Sequence, residues 1–277
     1  MSTLADAILE AVKAADDSEW RDHLGASLIG DECLKKVWYS FRWYVFPNHD
    51  GRILRLFDRG QREELALEEI IRRIPGVNIA TIDHNTGEQF RAKDRDLPAL
   101  AGSLDGLIQN PPEAPGETVG LEIKTANQKS WEKLKKLGVK SHQRRHYTQM
   151  SLYAYWFMLP GFVYLSVNKN TDEIYSEWVP YDPYEVDQAR ADARTVLSAT
   201  TPPPGISKIP SWWQCKLCDF ADVCHFKAKP ALNCRTCRHV SPELIGANSW
   251  TCSKTGDELT TEQQRTGCKQ WEGPSDG

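Results

Sequence analysis

Apolar positions recur at helical spacing in two long stretches of the N-terminal half. Residues 5–24 read as an amphipathic helix. Residues 54–74 read as a stronger one, with Leu56, Leu65, Leu67, Ile70, Ile71 and Ile74 as apolar positions and Pro75-Gly76 as the stop. Between them, residues 27–46 carry Trp38, Tyr39, Phe41, Trp43, Tyr44 and Phe46, a ring density that reads as core packing rather than a base-stacking platform. The period then shortens to that of strands. Runs at about 77–83, 88–93 and 103–109 predict short strands, with Asn85-Thr86-Gly87 as a hairpin turn. A proline-rich loop, 111–116, leads into a strand at 118–125. Helices over 128–137 and 143–158 follow, the second apolar through Met150, Tyr153, Ala154 and Phe157. Strands at 162–168 and 174–180 and a helix over 183–198 complete the pattern, and prolines 202–204 mark a linker. Beyond residue 210 little core-forming sequence is left, and the last few residues look frayed.

The chain of 277 residues is 40% hydrophobic and 26% charged, with a mean hydropathy of -0.54. That supports one large core with a small appended module. No apolar run is long enough to span a membrane, and the start reads as a helix rather than a secretory leader. The expectation is a cytoplasmic protein with no membrane partner. Net charge is -4, so any nucleic-acid footprint must be local. One stretch qualifies. From Lys124 to His146 the chain holds Lys124, Lys129, Lys133, Lys135, Lys136, Lys140, Arg144 and Arg145 against a single acid, Glu132, a local charge of +7. Taken alone it is an ordinary solvated helix face; its place directly after the strand at 118–125 raises the phosphate-binding reading.

That strand holds Glu122-Ile123-Lys124. Alternation sends Glu122 and Lys124 to one face and Ile123 into the core. Asp105, seventeen residues earlier in Gly102-Ser103-Leu104-Asp105-Gly106, sits inside a short strand between glycines. Two carboxylates and an ammonium suit metal-dependent cleavage of a phosphodiester, the carboxylates holding a divalent cation and the lysine serving the attacking water or the charge on phosphate. The tripeptide alone is common and reads equally as a solvated strand face. Glu64, in Gly60-Gln61-Arg62-Glu63-Glu64, is a possible third carboxylate with Glu63 as its competitor. Gln149 and Tyr153 stand at i and i+4 on one helical face.

Gly-x-x-Asp, then Glu-Ile-Lys-Thr, then Gln-x-x-x-Tyr resembles the RecB-like branch of the PD-(D/E)xK nuclease superfamily over roughly residues 55–160. Leu104 stands where the superfamily has proline, a departure common in that branch. The resemblance implies an α/β fold with a restriction-endonuclease-like core, a mixed central sheet flanked by helices. It implies Asp105, Glu122 and the backbone carbonyl of Ile123 as ligands of Mg²⁺ or Mn²⁺, with Glu64 as the acidic residue of the leading helix. It further implies that Lys124 positions or deprotonates the nucleophilic water, and that Gln149 and Tyr153 shape the site. A lysine beside a metal cation is expected to have a depressed pKa.

Eight cysteines fall into two sets. With no export signal, metal binding is a better reading than disulfides. Cys33 with Cys215-x2-Cys218-x5-Cys224 resembles the iron–sulfur staple of AddB-type helicase-nucleases and CRISPR-associated RecB-like nucleases, which implies a structural 4Fe–4S cluster; zinc would also suit four thiolates. Cys234-x2-Cys237, Cys252 and Cys268, with separations of 14 and 15 residues after the first pair, read as a four-cysteine zinc module with His239 as a substitute ligand. Nothing else in that segment offers stability by sequence. The expected layout is a nuclease domain over 1–228 and a zinc-binding module over 229–277.

The function expected is a stand-alone DNA exonuclease of recombination, repair or phage DNA metabolism, in a bacterial or phage-infected cell. It would partner DNA and a recombination or single-strand-binding protein, with the module contacting either DNA or a protein partner. No phosphate loop of the Gly-x4-Gly-Lys-(Ser/Thr) type is present, so ATP-driven translocation is not expected. The competing reading is a catalytically silent nuclease fold that binds DNA and recruits a partner.

Overall fold

The computed structural model describes residues 2–244 and 249–274. The C-terminal end expected to fray falls outside them. Two compact units form, each from non-contiguous segments: residues 1–19, 47–92 and 103–183 in the first, 20–46, 93–102 and 184–277 in the second.

The first unit is built on a five-stranded sheet. Its strands run in the order Ile174–Pro180, Gly161–Asn168, Thr118–Ala126, Gly106–Gln109, Asn78–Ala80. The pair Thr118–Ala126 and Gly161–Asn168 is parallel, and the other pairings are antiparallel. The sheet is therefore mixed, as expected. A parallel pair needs a crossover, which the helices Gln128–His142 and Arg144–Phe157 supply. Val119, Leu121 and Ile123 face one side, where they pack with Val163, Val167 and Ile108 against Leu67 and Ile71 of the helix Gly51–Ile71. Gly120, Glu122 and Lys124, beside Phe162, Tyr164 and Ser166 of the parallel neighbour, occupy the other face. The helix Arg144–Phe157 covers that face.

Several elements depart from the sequence expectation. The first helix is Leu4–Ala14, not 5–24. The Asp16 carboxylate accepts from the Ser18 amide and hydroxyl, a local turn that competes with further helix. The second long helix starts at Gly51 rather than 54, because Asp50 caps it by accepting from the Ile53 amide. Leu67 and Ile71 are buried, but Leu56, Leu65, Ile70 and Ile74 are exposed. At about 100° per residue, Leu65 and Ile70 lie off the stripe that Leu67 and Ile71 turn toward the sheet. The strand expected at 103–109 is broken into Leu100–Ser103 and Gly106–Gln109, so Asp105 lies in a bend and not inside a strand. A Cβ on Gly106 would lie 3.1 Å from the Ala80 carbonyl oxygen, so glycine lets this bend sit against the neighbouring backbone. The lysine-rich helix continues past 137 to His142 through a break at Gly138, whose φ is +71. In Arg144–Phe157, residues 147–154 are all buried, so it is not apolar on one side alone but enclosed.

In the second unit Trp38, Tyr39, Phe41, Trp43 and Tyr44 are buried and Phe46 is exposed, so the aromatic segment is chiefly core. The helix Pro183–Ser198 matches its expectation. Beyond residue 210 the chain is better packed than its composition suggested. Trp250 is fully buried in a three-stranded sheet of Val240–Pro242, Trp250–Cys252 and Glu258–Leu259. The Arg235 guanidinium lies 3.7 Å from the Trp43 ring centroid and 4.5 Å from that of Trp250. It donates to the backbone carbonyls of Phe41 and Asp22 and to the Gln264 side chain. This buried cation–π stack is a source of stability that the cysteine-centred reading of the segment missed. Among the described residues no helix is long and apolar enough to cross a membrane.

Candidate active site

Alternation along Thr118–Ala126 brings Glu122 and Lys124 to one face, as their spacing predicts. Glu122 is fully buried, and its carboxylate meets the Lys124 ammonium at 2.5 Å. Lys124 Nζ also lies 3.2 Å from Asp105 Oδ2 and donates to the Ile123 carbonyl oxygen at 3.0 Å. The bend holding Asp105 is tied to the strand, since the Ile123 amide donates to Asp105 Oδ2 at 3.3 Å. Gln149 donates from Nε2 to both Glu122 oxygens, at 3.0 and 3.2 Å. The structure thus brings Asp105, Glu122, Lys124, Gln149 and the Ile123 carbonyl together.

Glu64 belongs to the same electrostatic group. Burial pushes its carboxyl up to about 7, and the charge of Asp105 adds to the shift. Glu122 is pushed up to about 8, by burial first and by Asp105 next. Glu63 instead lines a separate groove with Arg52, Arg55, Arg59 and Arg62. Of the two, it is Glu64 that shares the electrostatic neighbourhood of Asp105 and Lys124. Burial opposes the charge on Lys124, but Glu122 and Asp105 outweigh it and hold the ammonium well above the ordinary lysine value. The carboxylates around the one ammonium set this direction in the absence of a cation. Tyr153 is placed differently from Gln149. It is buried, and its ring packs on Trp156 and Phe162.

One neighbour escaped the sequence reading. His146 Nδ1 lies 2.9 Å from the Tyr164 hydroxyl, and Tyr164 pairs with Glu122 across the parallel strands. Burial, then Lys124 and Arg145, push the imidazole down to about 3, so it is neutral. Its spacing to Gln149 and Tyr153, i+3 and i+7, was the available signal. Beyond the site, Lys129, Lys133, Lys135, Lys136, Lys140, Arg144 and Arg145 are all exposed. Lys140 is paired with Asp182 at 2.9 Å.

The cysteines sort into the two sets that their spacing predicts. Cys33, Cys215, Cys218 and Cys224 line one cavity of about 260 Å³ together with Tyr39 and Phe220. Burial raises Cys215 and Cys218, and Cys33 raises both further. Cys234 is pushed up to about 11 by burial and by Cys268, Cys237 and Cys252, so that set also shares one neighbourhood. His239 instead approaches Glu272 at 3.2 Å. All eight are free thiols. Among the described residues no three His, Cys, Asp or Glu side chains converge at metal-holding geometry, at the carboxylates or in either cysteine set.

No protein-family model matches the chain, and no curated protein does. Solved structures similar at low identity include the following. The crystal structure of SSO0001 aligns with a TM-score of 0.47 and 14% identity, covering 80% of this chain and 96% of that one. LHK-Exo in complex with dAMP aligns at 0.44 and 11%, covering 70% and 91%. The alkaline exonuclease LHK-Exo from Laribacter hongkongensis aligns at 0.42 and 14%, covering 68% and 91%. These likenesses are too weak to bear on function, which has to come from the geometry of the site itself.

Proposed function

We propose that the first unit is a metal-dependent DNA nuclease, acting as an exonuclease. The observation that carries this reading is the cluster of three carboxylates, Glu64, Asp105 and Glu122, around the single ammonium of Lys124. Burial, complete at Glu122, and the crowding of these carboxyls raise the carboxyls of Glu64 and Glu122, which registers the cost of charging them. An all-oxygen donor set with surplus negative charge fits a hard divalent cation such as Mg²⁺ or Mn²⁺ and is a poor fit for zinc or iron. Glu64, Asp105, Glu122 and the Ile123 carbonyl would hold it. Lys124 lies between Glu122 and Asp105, within reach of whatever they hold.

When bound, the cation supplies charge neutralisation on the phosphodiester and a water of lowered pKa. The protein's own groups do the rest. Lys124, held as an ammonium by its carboxylates, directs hydrogen bonds at the attacking water and at the charge that builds on phosphate. Gln149 fixes the Glu122 carboxylate through both oxygens, which keeps that group aimed. Neutral His146 donates to or accepts from Tyr164 and braces the strand behind Glu122.

For the cysteine sets the proposal is a structural 4Fe–4S cluster on Cys33, Cys215, Cys218 and Cys224, and a zinc ion on Cys234, Cys237, Cys252 and Cys268. Each donor set is all-thiol, which suits these groups. The four thiols of the first set open onto one cavity of about 260 Å³ that Tyr39, Trp213 and Phe220 also line.

Digestion of end-labelled DNA in Mn²⁺ tests the reading, with a 5′ label, a 3′ label and a closed circle in parallel. The expected result is release of label from linear DNA, resistance of the circle, and loss of label release in Lys124→Ala. Cutting of the circle would replace exonuclease with endonuclease. A wild type inert on single-stranded and duplex DNA would leave the silent-fold reading.

A further inference from the structure

The helix Gly51–Ile71 carries a second chemical feature on the side away from its buried stripe. Arg52, Arg55, Arg59 and Arg62 recur at i, i+3, i+7 and i+10. At 3.6 residues per turn they fall within an arc of about 80°. All four are exposed, and with Leu9, Leu56 and Glu63 they line an open groove of about 500 Å³. Arg62 is paired with Asp58 one turn earlier. Arg52 and Arg55 make no ion pair among the described residues. Four guanidiniums on one groove, two of them uncommitted, form a positive strip in a chain whose net charge is negative.

The groove is anchored next to the carboxylate site. Arg59 Nη2 donates to the Lys169 carbonyl oxygen at 2.9 Å, and the Lys169 amide donates to the Ala126 carbonyl oxygen at 2.8 Å. Ala126 ends the strand that holds Glu122 and Lys124. Arg59 thus ties the strip to the end of the strand that carries Glu122 and Lys124.

We propose that this groove binds the phosphate backbone of the DNA strand whose scissile bond lies at Glu64, Asp105, Glu122 and Lys124. The proposal rests on the nuclease reading for its substrate. The planar guanidinium fork suits phosphate oxygens, and the spacing of the four residues along about 15 Å of helix spans more than two nucleotides. Leu56 gives the groove an apolar floor on which a sugar or base edge can rest.

The test reads binding without turnover. The full chain in EDTA is titrated onto a fluorescein-labelled single-stranded oligonucleotide across a salt series, by anisotropy. The triple variant R52Q/R55Q/R59Q is expected to bind at least about tenfold more weakly at low salt. Its log-affinity against log-salt slope should be shallower by about 2, at ~0.7 for each phosphate that is no longer neutralised. R52K/R55K/R59K should keep the slope. The three side chains are exposed, so folding is not at stake, and circular dichroism verifies it. An unchanged slope overturns the proposal, as does a loss confined to K129Q/K133Q/K136Q, which would put the strand on the other basic helix. The two readings fail separately. Normal cleavage with an unchanged slope removes the groove alone. A chain inert with every metal whose triple variant still loses slope removes the nuclease alone.

Discussion

The two faces of the strand Thr118–Ala126 are built from the same nine residues and obey opposite rules. On one, Val119, Leu121 and Ile123 are at most 1% exposed and pack in an apolar cluster with Leu67, Ile71, Val163 and Val167. On the other, Glu122 is just as buried, yet it faces Lys124, Gln149 and the Tyr164–His146 pair. Burial on the first face lowers the free energy of the fold. Burial on the second raises it, and the penalty is spread over two carboxyls pushed up to about 7 and 8. A helix enclosed along residues 147–154 keeps water out of that polar layer. The dry face holds the strand in place, and the polar face stores unfavourable electrostatics that a bound cation would relieve.

The sharpest break in this comparison comes from adjacent residues. Lys124→Ala and Glu122→Ala are each expected to reduce DNA cleavage by about 10²–10³-fold or more, in the range of a lost charge-stabilising group. Ile123→Ala, between them, should cost about 2–4 kcal/mol of stability through the cavity it leaves. Its cleavage rate per folded molecule should stay near that of the wild type. Urea unfolding beside a cleavage assay separates the two effects. Equal activity losses in all three variants would mean that the faces are not functionally distinct.

A smaller effect is expected from pH. Glu64 and Glu122 ordinarily titrate near 4.5, and in the folded chain near 7 and 8. The folded state binds more protons than the unfolded one within that window. This share of stability is therefore present below about pH 4.5 and is lost as pH rises through 7 to 8. In EDTA the melting temperature should fall between pH 5 and 8. Glu122→Gln should flatten the fall, and Mg²⁺ should reduce it by competing with the protons. A wild-type melting temperature that rises over this range in EDTA would contradict the assigned burden on these carboxyls.

The faces also differ in how far the sequence reveals them. Period-2 alternation is local, so Glu122, Ile123 and Lys124 were assigned to the correct sides from their order alone. Asp105 was legible as a residue but not as a place, because its bend depends on Gly106 meeting the Ala80 backbone from another strand. Glu64 and Glu63 are neighbours on one helix, and their separation into two environments depends on what each side of that helix faces. The apolar residues of the same helix misled for that reason: Leu65 and Ile70 follow helical spacing but not the stripe set by the sheet. His146 was missed because its partner, Tyr164, stands eighteen residues away on a strand. In the second unit, cysteine spacing marked both sets, whereas the Arg235–Trp250 stack leaves no periodic trace.

The smallest prediction has the opposite sign to the others and tests the polar face most directly. Ser166 pairs with Lys124 across the parallel strands and shares its face. It is fully buried, and its hydroxyl has no hydrogen-bond partner among the described residues. A buried hydroxyl without a partner carries a desolvation penalty that nothing offsets, so its removal relieves the fold rather than harming it. Ser166→Ala is expected to be neutral or to stabilise by up to about 1 kcal/mol, read as a small rise in the urea midpoint. The matching change on the dry face, Val167→Ala, removes only packing and should destabilise by about 1–3 kcal/mol. Because the two residues are adjacent on one strand, backbone effects largely cancel between them, and opposite signs isolate the face. If Ser166→Ala instead destabilises as much as Val167→Ala, the hydroxyl is held by a group within the polar layer, and the carboxylate face is better satisfied than its raised carboxyls imply.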